Sequence, residues 1–236
     1  MNILEKITFD LKKLLKNPKN IKDYSRFYKD GKTHIGIISS LVKKVASYNF
    51  KEIKDLENKQ IFYLCEKLLK MKGLGYQNIA FDWAFMARKD YQKENFKIFE
   101  NWIKNHVNTW DGCDDLCTHA LGEFIYQFPE FLPQLKKWAK SQNKWFRRAS
   151  AVVLIYALRK GKYLKIAFEI AKILIKDKED LVQKGYGWML KEASNLYQKE
   201  VFDFVIKNKK LMTRAALRYA IEKLPQKLKL KAMAKD

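Results

Sequence analysis

The chain has 236 residues, 47% of them hydrophobic, with 48 Lys+Arg against 26 Asp+Glu and a formal charge of +22. The apolar share is ample for a continuous core, and no apolar run approaches the roughly 18 residues that suggest a membrane span, so no membrane association is expected. Three cysteines, Cys65, Cys113 and Cys117, make an odd set that implies reduced thiols rather than a disulfide framework. The first fifteen residues interleave apolar side chains with Glu5, Lys6, Asp10 and Lys12, unlike the unbroken apolar core of a signal peptide. A cytoplasmic location is the expectation.

Nine Gly and four Pro punctuate the chain without pervading it, which favours an all-α fold. Helical spacing over 2–16 places Ile3, Ile7, Leu11, Leu14 and Leu15 on one stripe, which stops before Asn17-Pro18. A short helix over 21–29, a loop over 31–36 and a helix over 37–47 follow. Helices over 54–71 and 77–88 flank a break at Gly73-Leu74-Gly75, and helices over 93–106 and 114–128 flank a hinge over 108–113. After Pro129 the pattern becomes regular: 131–140 pairs with 144–159, 163–175 with 181–196, and 199–207 with 213–224. Such pairing predicts one domain over 1–236, an α-solenoid (α-α superhelix) of HEAT-like repeats whose second helices line a concave basic groove.

Trp110 with Asp114, then Arg148 38 residues after Trp110, then Trp188 40 residues after Arg148, fall about one repeat apart. Positions one period apart in stacked helical pairs stand side by side, so two indoles, a carboxylate and a guanidinium are expected on one wall. Residues 109–113 have turn character, which makes Asp114 a candidate N-cap or first-turn acid, stabilised by unpaired backbone amides and the helix dipole. Asp111 and Asp115 stand close by as further candidates for that role. Trp83, Trp102, Trp138 and Trp145 are expected in the core. Between 205 and 236, ten basic residues face only Glu222 and Asp236, a surplus that suits a polyanionic partner. Cys113, Cys117, His106 and His119 lie near one another in sequence, but two-residue helical spacing turns His119 away from Cys117 and no second ligand pair follows, so no metal site is expected. No phosphate-binding glycine loop and no nucleophile beside a base occurs.

Trp110-x-x-x-Asp114, then Trp145-Phe146-Arg147-Arg148-Ala149, then Gly185-Tyr186-Gly187-Trp188-Met189-Leu190-Lys191-Glu192, then Thr213-Arg214-x-x-x-Arg218-Tyr219-Ala220-Ile221-Glu222 together resemble the AlkD-like DNA alkylation repair family of HEAT-repeat DNA glycosylases. The resemblance covers nearly the whole chain. It implies that Asp114 is the catalytic carboxylate, that Trp110 and Trp188 flank the lesion, and that Arg148 contacts the DNA backbone beside the site. Arg147, Arg214 and Arg218 are further candidates for holding phosphates. It also implies excision of N3- or N7-alkylpurines from double-stranded DNA, by a monomer without a cofactor. A helical-repeat module that binds nucleic acid without catalysis would use the same basic face and have no need of Asp114; a scaffold for an acidic protein partner is a third reading.

Overall fold

The computed structural model describes residues 1–28 and 31–234. The chain forms two compact units, Met1–Gln92 and Lys93–Asp236. In the first, Asn2 opens α1 (Ile3–Leu15): its side chain accepts from the amides of Leu4 and Glu5 at 3.1 and 3.0 Å, and Glu5 returns the bond to the Asn2 amide at 2.9 Å. This reciprocal cap satisfies amides that the helix cannot. Ile7 and Leu11 carry its stripe into the core.

The helix expected over 21–29 does not form. Ile21–Asp23 is a strand, β1, and pairs antiparallel with β2 (Ile35–Ile37) in the register Ile21 to Ile37 and Asp23 to Ile35. β-Branched residues fit this pleated surface. Polar side chains compete with a helix by bonding to nearby backbone: Asp23 accepts from the Ser25 amide at 2.7 Å, and Ser25 Oγ accepts from the His34 amide at 2.8 Å. A 3-10 turn over Ser25–Phe27 completes the excursion, and Lys29 lies outside the described residues. Helix α2 is consequently Ser39–Phe50, because Ile37 belongs to the strand. Helix α3 (Asn58–Lys70) starts later than expected, after turns over 51–56, where the Glu57 amide donates to Gln60 Oε1 at 3.1 Å. Both α2 and α3 pack on α4 (Tyr76–Met86), whose Trp83 is fully buried and donates to the Ala46 carbonyl at 2.9 Å.

Among its described residues the second unit has helices and no strand: α5 (Asn95–Asn105), α6 (Trp110–Thr118), α7 (Ala120–Gln127), α8 (Leu132–Trp138), α9 (Lys144–Val152), α10 (Leu154–Leu158), α11 (Leu164–Leu174), α12 (Asp180–Ala193), α13 (Gln198–Asn208), α14 (Arg214–Ile221) and α15 (Gln226–Met233). The helix expected over 114–128 is thus two, broken at His119, where the backbone leaves helical geometry at φ −123° and ψ −94°. Helix α15, after Pro225, lies beyond the last element read from the sequence, and Lys235 and Asp236 lie outside the described residues. The expected pairs form: α8 packs on α9, α11 on α12 and α13 on α14. Helices α6, α9, α12 and α14 contact one another in that order, a row of second helices as the repeat phase requires, and the fold is an all-α helical repeat with one small sheet.

Two features fix this row. Gly187 sits so near α14 that an added Cβ would lie 2.9 Å from both the Ala216 carbonyl and Tyr219 Cβ, so the Gly185-Tyr186-Gly187 run serves close helix packing. Buried Gln183 bonds three carbonyls at the end of α11 (Leu174, Ile175 and Asp177) and accepts from Tyr186 and Thr213 hydroxyls, both at 3.0 Å. Beneath the first helices of the unit, Phe96 stacks with Phe131 and Trp138 at centroid distances of 4.3 and 5.5 Å.

Candidate active site

Thr109 is the N-cap of α6, its hydroxyl accepting from the Gly112 amide at 3.3 Å, and Trp110 is the first helical residue. Of the hinge expected over 108–113, residues 110–113 are therefore already helix. Asp114 stands one full turn beyond Trp110, on the same face, and is neither cap nor first-turn residue; the first-turn acid is Asp111. The capping account of Asp114 falls away because Thr109 holds that place.

What holds Asp114 instead is Arg148. Asp114 Oδ1 accepts from Arg148 Nε at 2.9 Å and Oδ2 from Nη2 at 2.8 Å, a two-pronged ion pair. Arg148 Nη1 donates to the Leu181 carbonyl, so one guanidinium joins α6, α9 and α12. Arg148 is 5% exposed, whereas 15% of the Asp114 side chain remains open to solvent. Burial raises the Asp114 carboxyl above the ordinary carboxylate value against the pull of Arg148, and Asp111 and Asp115 push the same way as burial. For Arg148, burial opposes the charge and Asp114 outweighs it. Each carboxylate oxygen accepts one bond from Arg148 and keeps a second lone pair.

Gly185 packs closely against Arg148: a Cβ there would lie 3.3 Å from the arginine's Cγ and Nη1, tighter than an ordinary contact. Leu181, Gly185, Trp188 and Glu192 follow one another at helical steps of four, three and four, and so form one stripe of α12. Trp188 is half-buried. Its indole Nε1 donates to Glu192 Oε1 at 3.1 Å, and Glu192 Oε2 accepts from Arg159 Nε at 2.8 Å. Trp110 is half-buried as well.

The other arginines divide by their partners. Arg147 donates through Nε to Asp177 at 2.6 Å and through Nη1 to the Ser141 and Gln142 carbonyls at 2.8 and 2.9 Å. Arg147 and Arg148, both read as phosphate contacts, therefore spend most of their donors inside the protein. Arg214 and Arg218 lie one turn apart on α14, exposed, and among the described residues neither has an ion-pair partner. Trp83, Trp102 and Trp138 are buried as expected, but Trp145 is half-exposed, with Lys144 Nζ 5.3 Å from its ring centroid. It stands in the first turn of α9, where its carbonyl faces the Cys113 thiol at 3.9 Å. Among the described residues no three His, Cys, Asp or Glu side chains gather as a metal site, and no helix is long and apolar enough to cross a membrane.

Sequence reading left Glu192 and Arg159 without a role. The signal for Glu192 was its place one helical turn after Trp188; Arg159 comes from another repeat, and no local pattern marks it.

The family model described as "DNA alkylation repair enzyme" matches residues 10–224. Among solved structures, the chain is similar to a "Predicted DNA alkylation repair enzyme from Enterococcus faecalis", with a TM-score of 0.71 at 17% identity over 80% of this chain and 87% of that one. It is also similar to smu.31 from Streptococcus mutans UA159, with a TM-score of 0.59 at 20% identity over 82% of this chain and 93% of that one. No curated protein matches the chain.

Proposed function

The chain belongs to the DNA alkylation repair family, and from that premise we propose that it is a DNA glycosylase that removes N3- and N7-alkylated purines from duplex DNA, with Asp114 as its catalytic carboxylate. One observation carries this reading: Asp114 is held by a two-pronged bond to a buried arginine, yet keeps an open edge. A buried ion pair is expensive in desolvation and is often no more stabilising than apolar packing. Retaining one, with an edge of the carboxylate open and in a helix row that also carries two half-buried indoles, suits chemistry better than cohesion.

Alkylation at N3 or N7 makes the purine cationic, and the base leaves neutral when the glycosidic bond breaks. No general acid is required. Positive charge moves onto the sugar, and a carboxylate near the developing oxocarbenium centre stabilises it, as in glycosidases. A unit charge at about 4 Å with an effective dielectric near 20 is worth roughly 4 kcal/mol, on the order of a thousandfold in rate. Arg148 draws on the same carboxylate and reduces that value, but it also fixes the direction in which the free lone pairs point. The faces of Trp110 and Trp188 attract a cationic base by about 0.5 to 2 kcal/mol each. In this scheme Arg148 organises the acid, and Arg214 and Arg218 with the lysines of α15 hold the DNA backbone, while Arg147 stays tied to Asp177.

A second reading, a helical-repeat module that binds nucleic acid without catalysis, draws on the same Asp114–Arg148 pair as a joint between α6, α9 and α12. Incubation of the protein with duplex DNA treated with a methylating agent separates the two. Release of free 3-methyladenine or 7-methylguanine is the expected result; binding without release would favour the silent module.

A further inference from the structure

The stripe of α12 that faces Arg148 continues to Trp188 and ends on Glu192, whose carboxylate is the acceptor for the indole N–H at 3.1 Å. Glu192 does not act as a loose surface acid. Only 13% of its side chain is exposed, and its other oxygen is taken by Arg159 Nε at 2.8 Å, from a residue that caps the end of α10. Trp188 is therefore tied through one carboxylate to an arginine of the preceding repeat.

Two consequences follow for the ring. An N–H···carboxylate bond removes the freedom of a half-buried indole to rotate about its side-chain torsions, and an indole has no second donor with which to exchange partners. A hydrogen bond to an anion also polarises its donor, placing more electron density over the ring faces, where a cation is attracted.

We propose that Glu192 is a positioning residue for Trp188, setting the orientation and electron density of the indole face that meets a cationic base, with Arg159 holding Glu192 in place. Burial works to raise the Glu192 carboxyl, but Arg159, the indole N–H and Lys191 outweigh it and hold the group below the ordinary glutamate value, so the acceptor is an anion at neutral pH. The consequence for base release rests on the glycosylase reading above; the bond between Glu192 and Trp188 does not.

The test has two arms on the full chain. In the first, 15N-labelled tryptophan indole resonances are recorded, Trp188 being assigned from its loss in W188F. Its N–H resonance is expected to move and to exchange faster with solvent in E192A, and to move less in E192Q, whose amide oxygen can still accept. An unmoved resonance in E192A overturns the proposal. In the second arm, single-turnover release of methylated purines is measured for the wild type, E192A, W188F and the double variant. E192A is expected to slow release by roughly three- to tenfold, the scale of one cation–π contact, with binding of unmodified duplex unchanged. The double variant should be no slower than W188F, because phenylalanine offers no N–H for Glu192 to hold; multiplied losses would overturn the proposal. Absence of release by the wild type would remove the glycosylase reading, and the resonance arm would then decide alone.

Discussion

The two units spend their buried polar groups differently. In the first, Asn49 is the buried polar residue among those described, and it serves the helix that carries it and the one beside it, donating to Asp10 at 2.9 Å and to the Val45 carbonyl at 3.0 Å. In the second, Arg148, Gln183, Glu123, Ser150 and Ser194 are all buried, and two of them reach across three structural elements. Packing alone asks for apolar residues at such places. A charge sunk into the joint between repeats marks the part of the molecule where stability yields to another demand.

The largest expected effect tests that contrast directly. Arg148→Met removes one partner of the pair and leaves Asp114 half-buried without its cation, so the variant should lose about 3 to 5 kcal/mol of stability in chemical denaturation. A loss below about 1 kcal/mol would mean that the pair is already solvent-relaxed. Asp114→Asn should reduce purine excision by a hundredfold or more, about 2.7 kcal/mol in transition-state stabilisation, while DNA binding measured well below the melting temperature persists. Asp111→Asn and Asp115→Asn make the same local charge change, and equal losses in all three would reduce the effect to a general field. Because burial raises the Asp114 carboxyl, the acid limb of the excision rate should lie above the ordinary aspartate value near 3.9. The sign follows from the charged form being the active one: activity rises as pH passes upward through that limb, while the penalty of ionising the buried carboxyl lowers its contribution to stability over the same interval.

Asn49→Ala sharpens the comparison from the other side. It should cost about 1 kcal/mol of stability and leave excision at the wild-type rate; a selective loss of excision would erase the distinction between the units. The smallest effect belongs to Arg214→Ala and Arg218→Ala. Each should lower the slope of log affinity against log salt by about 1, uniformly across sequences, and a titration of duplex binding at several salt concentrations reads it.

The helix row was legible because its phase is long-range and regular: Trp110, Arg148 and Trp188 recur at about one repeat, and repeat stacking leaves helices in that order little choice. The hairpin was not legible. Ile21, Ile35 and Ile37 offer only three residues to each strand, too few to show alternation, and its closing bonds come from Asp23 and Ser25 side chains that pattern reading does not weigh. Asp114 was visible as a candidate, but its partner was not, since charge pairs between repeats leave no local spacing. Trp145 misled for a related reason: tryptophan favours burial on average, and only the start of α9 shows that this one lies over its neighbour Lys144 instead.

On the proposed reading, the protein would meet the same electrophiles that alkylate its DNA substrate. The thiolate is the softest nucleophile a chain carries, and its reactivity depends on exposure and on how readily the thiol ionises. All three cysteines are free and buried, and burial pushes the thiols of Cys65 and Cys117 well above their ordinary value. Cys113 and Cys117 lie on the helix that carries Asp114, so adducts there would distort the site from behind. Closing them to solvent shields the helix that carries Asp114 from soluble electrophiles.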